Sequence, residues 1–352
     1  MEIVRGHLQS YDWGGIDGLS AWTAPTGGPQ AELWFGSHAN GPSPLRDAPG
    51  TASTPMPLLT KLLSAARPLS IQIHPPAAMA EAQYLVQQAD PGAPRLLSDP
   101  YAKAEILIAL EPFDILAGFR DARQSAAVLE ALGPGLGRAA AAAGAGDMRR
   151  CVRALLTLGI DDVFANAARL PEAFVTAGLP DSDVAVIEEV VRGYPGDPGV
   201  FVAALLAART LAPGEAVYVQ PGTVHAYVRG TGIEVMTNSD NVLRLGLTTK
   251  TIAVDAALAA MSAHAQPVLV AVESAGGVDT YTATGAPFVV HVLTDTRTTA
   301  TTGAGRTLLC LDGTLTVAGV AVAAGEAVLL GPADPDADVR ATGRAVLARD
   351  VV

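Results

Sequence analysis

One octapeptide occurs twice in this chain. Residues 214–221, Gly-Glu-Ala-Val-Tyr-Val-Gln-Pro, return at 325–332 as Gly-Glu-Ala-Val-Leu-Leu-Gly-Pro, an offset of 111 with five of eight positions identical. A glycine turn, an apolar strand and a proline-closed turn form one β unit. Chance also produces so short a pattern, but a duplicated β-barrel domain is the better reading. At the same offset His225 maps onto Asp336, so the second copy lacks the histidine and is expected to be structural.

The sequence around the repeat fits a mostly β chain. Residues 1 to about 56 are rich in Gly, Pro, Ser and Trp, which predicts strands and loops. From 121 to 210, Ala, Leu, Arg and Glu recur at helical spacing, with breaks at Gly133-Pro134, Gly144, Pro180 and Pro195-Gly196. Four to six helices are expected there. β character returns at 211 and continues to the end. The domains read as 1–120 with 211–265, a helical insertion at 121–210, and a C-terminal β unit at 266–352. Residues 57–66 predict a short helix with Pro57 at its first position. Residues 76–89 predict a second helix and 99–110 a strand.

Residues 69–75 place Ser70, Gln72 and His74 on one face of a strand, with Ile71 and Ile73 on the other. The turn at Pro221-Gly222 returns the chain with His225 and Tyr227 on a shared face. Lys103 and Glu105 also share a face. A strand histidine is more often a satisfied core or surface residue than a ligand. Here, however, polar partners of matching parity accompany both histidines. Gln72, His74, Glu105 and His225 therefore form a candidate metal set, with two imidazoles and a carboxylate suited to zinc. His38, in a Trp/Gly-rich segment, is the weaker competitor. Asp240, Arg244 and Lys250 share parity if their strand is regular; the alternative is a hairpin with a solvated polar face. Arg244 lies in the apolar run Val242-Leu243-Arg244-Leu245, so it must be paired or face a cavity. Arginine and lysine beside a metal suit an anionic, polyhydroxylated ligand.

The 352 residues carry a net charge of −12 and no basic run, which argues against nucleic acid and anionic membranes as main partners. The two cysteines, Cys151 and Cys310, lie far apart, favouring a reducing compartment over a disulfide framework. No signal-peptide pattern opens the chain, and no apolar run reaches ~18 residues. A cytoplasmic protein is expected.

These residues resemble a known family, the type I mannose-6-phosphate isomerases, which are zinc-dependent enzymes of cupin type. The resemblance rests on Tyr11-Asp12-Trp13-Gly14, Ala31-Glu32-Leu33-Trp34, residues 61–75, Lys103-x-Glu105, residues 221–227 and residues 233–250. It implies one zinc ion per chain, held by the residues matching Gln72, His74, Glu105 and His225. It implies an essential arginine at Arg244, with Lys103, Asp240 and Glu234 as further catalytic residues. Trp13, Ser70 and Lys250 match substrate-side positions. The implied fold is a cupin (jelly-roll) barrel carrying the site, interrupted by an α-helical domain and followed by a second, smaller jelly-roll barrel. The implied reaction interconverts mannose 6-phosphate and fructose 6-phosphate through a cis-enediol, in mannose metabolism leading to GDP-mannose or glycolysis. Lys103, Glu234 and Asp240 are the candidate bases; cations near Lys103 would favour its neutral amine. The chain is expected to be a monomer, with a weak homodimer the alternative. Two positions depart from the family pattern: Ala102 stands where a histidine linked to ring opening is usual, and Thr249 where a proline precedes Lys250. A cupin isomerase for another sugar, or a non-catalytic sugar-phosphate-binding protein, are the competing readings.

Overall fold

The computed structural model describes residues 1–351. The chain is mostly β, with nine α-helices among the described residues. An eleven-stranded sheet is organised around the long strand His225–Thr237. Its Gly230–Thr237 portion pairs antiparallel with Leu58–Ala65, and the strand also pairs with Glu105–Ala109 and Phe113–Phe119. Its first residue, His225, faces Gln72 of the short strand Gln72–Ile73, which in turn pairs with Leu243–Arg244. Segments far apart in sequence are thereby brought to one place.

The helix predicted over 57–66 is instead the strand Leu58–Ala65, with all eight residues buried. Leu58 and Leu62 pack in one core cluster, while Leu63 and Ala65 pack in another. The sheet is covered on both faces here, so its apolar run is continuous and carries no period-two signal. The strand predicted over 99–110 is confined to Glu105–Ala109. In 234–250 the regular strand gives way to turns and the two-residue strand Leu243–Arg244. The helical segment holds seven α-helices between Ala122 and Ala203, more than the spacing suggested. Two of them, Leu170–Thr176 and Gly199–Ala203, are too short to show a period. Helical residues such as Val128, Leu129, Val152 and Ile187 share one core with Ile71, Ile73, Leu243 and Leu245. The helices thus back the two short strands that carry Gln72 and Arg244.

A nine-stranded sheet takes up most of the C-terminal region. Its member Glu326–Leu330 and the first sheet's Ala216–Val219 are the two copies of the repeated octapeptide. Each follows a glycine with positive φ: 86° at Gly214 and 79° at Gly325. At Gly325 a Cβ would sit 1.9 Å from the Trp22 carbonyl oxygen, so a side chain is excluded there. Asp336, aligned with His225, accepts a hydrogen bond from Thr302 N at 2.6 Å. The opening strand Glu2–Arg5 also pairs with Glu326–Leu330, joining the chain's two ends in one sheet. Leu33, Phe35, Leu62, Ile233, Leu309 and Leu329 fill the core between the two sheets. Hydrogen bonding closes neither large sheet into a barrel among the described residues. No described helix is long and apolar enough to cross a membrane.

Candidate active site

His74, Glu105 and His225 converge in the buried interior. Nε2 of His74 lies 3.1 Å from Oε2 of Glu105, and Nε2 of His225 lies 3.1 Å from Oε1. Glu105 is also 3.0 Å from the Lys103 ammonium and accepts a 3.0 Å hydrogen bond from the Tyr227 hydroxyl. Burial opposes the Glu105 charge, yet the Lys103 ammonium beside it holds its carboxyl well below the ordinary range. Burial, together with the Glu105 carboxylate, pushes the Tyr227 hydroxyl well above its usual value.

The orientation of the two imidazoles bears on whether a metal fits. Nδ1 of His74 contacts the Asn241 carbonyl at 3.1 Å, and Nδ1 of His225 contacts the Thr223 carbonyl at 3.0 Å. Carbonyl oxygens only accept, so each ring carries its proton on Nδ1 and turns the Nε2 lone pair toward Glu105. Burial, reinforced by Lys103, brings the His74 pKa down to about 4, so this ring is neutral at neutral pH. Lone pairs facing a carboxylate at this separation call for a cation between them. Ligands held 2.0–2.2 Å from a tetrahedral zinc stand roughly 3.4 Å apart, close to the spacing observed. The three donor atoms lie within 4.8 Å of one another, so this donor set fits zinc.

The low His74 pKa has a checkable consequence in the metal-free protein. The folded value of about 4 lies below the ordinary 6.5, so folding favours the neutral ring. Its stabilising contribution is complete above pH 6.5 and disappears as the pH falls toward about 4. Glu105 adds a loss of the same sign at lower pH, while Glu234, whose carboxyl is raised by burial, acts in the opposite sense. Imidazole NMR shifts of metal-free protein should show His74 neutral down to about pH 4; titration near 6.5 would contradict this assignment.

The cluster opens into a cavity of about 530 Å³, within the range for small-molecule sites. Gln72, Lys103, Glu105, His225 and Glu234 line it, as do Trp13, Ser70, Asp240, Arg244 and Lys250. Ten of the eleven predicted site residues therefore share one cavity, with His74 behind them against Glu105. Strand parity alone would place Glu234 on the opposite face from His225, nine residues earlier. A register shift between Arg229 and Tyr227 inserts one extra residue and restores the parity. Gly230 serves this bend: its φ is 139° and a Cβ would press on Phe113. At the cavity's outer part, Asp240 accepts from Asn40 Nδ2 at 2.8 Å, and the Lys250 ammonium stands 5.9 Å from the Tyr11 ring centre. Tyr11 stacks on Trp13 at 5.7 Å. Burial works against the Arg244 charge and Asp240 works for it. His38 packs edge-on to Trp34 and takes no part in the His–Glu–His cluster.

Lys61 is the main residue the sequence reading missed as part of the site. It lines the cavity, with Nζ 2.6 Å from Glu234 Oε2 and 3.7 Å from Glu32 Oε1. Despite burial, these carboxylates raise its affinity for a proton. Trp34 donates its indole N–H to Glu32 at 2.7 Å. The signal was present in Leu58-Leu59-Thr60-Lys61-Leu62-Leu63, since a lysine inside an apolar run needs a buried partner, just as Arg244 does. Lys61→Met is expected to cost about 3–5 kcal/mol, because it leaves two buried carboxylates uncompensated. Chemical denaturation would measure this; an unchanged midpoint would contradict the ion-paired network.

A buried His–Glu–His centre on β-strands, at the floor of a cavity bearing Arg and Lys, defines a metal-centred enzyme site for a small anionic molecule. Residues 45–122 match the catalytic-domain model of type I phosphomannose isomerases. The chain is 34% identical over 286 residues to mannose-6-phosphate isomerase of Salmonella typhimurium, covering 71% of this chain and 72% of that protein. It is 29% identical over 360 residues to the Escherichia coli enzyme, covering 90% of each. A solved mannose 6-phosphate isomerase bound with zinc and yttrium superposes with a TM-score of 0.85 at 26% identity, over 100% of both chains. The chain belongs to the mannose-6-phosphate isomerase family.

Proposed function

We propose that this protein is a zinc-dependent aldose–ketose isomerase that interconverts mannose 6-phosphate and fructose 6-phosphate in the cytoplasm. The observation that carries this reading is the shared cavity, in which the His74–Glu105–His225 cluster meets Arg244, Lys103 and Lys250. Gln72, His74, Glu105 and His225 would hold one zinc ion, which when bound supplies Lewis-acid stabilisation of negative oxygen. The remaining chemistry belongs to the chain's own side chains.

Isomerisation moves a proton between C1 and C2 through a cis-enediol. We assign that transfer to Lys103, which lines the cavity floor beside Glu105 and would act as the neutral amine once bound zinc, rather than the ammonium, balances that carboxylate. A well-placed acid/base group contributes ~10²–10⁴-fold. Glu234 is held by Lys61, and its role is to fix that lysine. Asp240 lies toward solvent and supports the Arg244 charge. Arg244 offers a planar fork to the developing enediolate oxygens. Lys250, beside Tyr11, is placed to take the phosphate, while Trp13 and Ser70 line the sugar's path.

The divisions 1–120 with 211–265, 121–210 and 266–352 are proposed as the catalytic, helical and C-terminal units. Ala102, which stands where the family usually carries a histidine, supports the second reading, a related isomerase for another sugar phosphate. A panel of aldose phosphates assayed with zinc-loaded protein tests the substrate reading. Mannose 6-phosphate should give the highest kcat/KM; a higher value for another aldose phosphate would overturn it.

A further inference from the structure

A second cavity, of about 230 Å³, lies in the C-terminal β region, apart from the His–Glu–His cluster. Arg306 and Arg349 both line it, and they are direct cross-strand partners between Arg306–Cys310 and Arg344–Asp350. Like charges placed opposite one another on a sheet repel. Among the described residues, every hydrogen bond their guanidinium groups make goes to a neutral oxygen. Arg306 donates to the carbonyls of Ala300, Pro335, Gly331 and Asp334 at 2.8–3.2 Å. Arg349 donates to the Thr301 hydroxyl at 3.3 Å.

The nearby acids Asp334 and Asp336 support the Arg306 charge through space, but among the described residues neither carboxylate is bonded to either guanidinium. Asp334 holds the N-terminal ammonium at 2.9 Å and accepts from Gly331 N at 2.8 Å. Asp336 accepts from Thr302 N. Arg306 is 0% exposed, and Nε of both arginines is buried without a partner among the described residues. The four carbonyl contacts explain Arg306 as a staple for the Gly331–Pro335 turn, but they explain neither the arginine opposite it nor the two unpaired Nε–H groups. His291 lines the same cavity, and its Nδ1 meets the Thr280 hydroxyl at 3.0 Å, which leaves Nε2 for a ligand. Thr299 and Thr301 add hydroxyls to the lining.

We propose that this cavity binds a small oxyanion of the phosphate class, free or as a phosphomonoester head group, between Arg306, Arg349 and His291. An oxyanion would neutralise the like-charge pair and supply the acceptors that the Nε–H groups lack. The volume is below that of drug-sized sites, which fits a single tetrahedral ion.

Calorimetric titration of inorganic phosphate into zinc-loaded full-length protein, at constant ionic strength, tests this. The unmodified protein should show one phosphate site more per chain than Arg349→Gln, with the isomerase kcat/KM unchanged between them. In phosphate-free buffer Arg349→Gln should melt no lower than the unmodified protein, because a like-charge contact is relieved. His291→Gln keeps both arginines and should weaken the same site by about tenfold; it carries the test if Arg349→Gln folds poorly. Competition by glycerol 3-phosphate would identify monoesters as ligands, and its failure would identify free phosphate. Identical phosphate isotherms for the unmodified protein and both variants would overturn the proposal.

Discussion

Glu105→Gln is expected to abolish stable zinc binding and, with it, turnover. The carboxylate of Glu105 faces both imidazole Nε2 atoms at 3.1 Å and the Lys103 ammonium at 3.0 Å. The amide keeps the shape but removes the only anion among these groups. It would also turn an NH₂ toward the lysine or the Tyr227 hydroxyl, both of which act as donors here. Losing a partner one step removed from a metal costs about 10–100-fold in affinity, and loss of a ligand should exceed that. Zinc per chain after dialysis, read by atomic absorption, checks it. Zinc retained at the unmodified stoichiometry, with affinity within that range, would mean that Glu105 is not a ligand.

Arg244→Ala is expected to lower kcat by about 10²–10³, the usual loss when one preorganised donor to a developing oxyanion is removed. Zinc content should not change, because Arg244 lines the cavity without belonging to the His–Glu–His cluster. Arg244→Lys should recover little, since an ammonium cannot reproduce the planar two-point contact. Near-normal turnover of Arg244→Lys would show that the enediolate role is wrong.

Much of the site was legible because strand alternation is a local rule. Ser70 and Gln72 face the cavity while Ile71 and Ile73 sit in the core, although hydrogen bonding makes a formal strand only of Gln72–Ile73. Arg244 was legible for a different reason: a charge inside an apolar run must have a destination. The same reasoning applies to Lys61, but Pro57 and the apolar residues around that lysine favour a helix, which hides its place in the site. With both faces of Leu58–Ala65 buried, hydrophobicity carried no period to correct that reading. Glu234 reaches the cavity through the extra residue between Tyr227 and Arg229, and a bulge leaves no mark that parity can detect. The pairing of Glu2–Arg5 with Glu326–Leu330 is set by tertiary packing across the whole chain. No local pattern in either strand announces it. The cross-strand arginines of the C-terminal cavity were hidden for the same reason, since Arg306 and Arg349 become neighbours only through register.

The most direct test of the central claim is the rate of fructose 6-phosphate formation from mannose 6-phosphate by purified protein, before and after chelation and zinc restoration. Robust turnover that is lost on chelation and restored by one zinc per chain is the predicted result. Absence of turnover in protein that holds one zinc per chain would contradict the assignment.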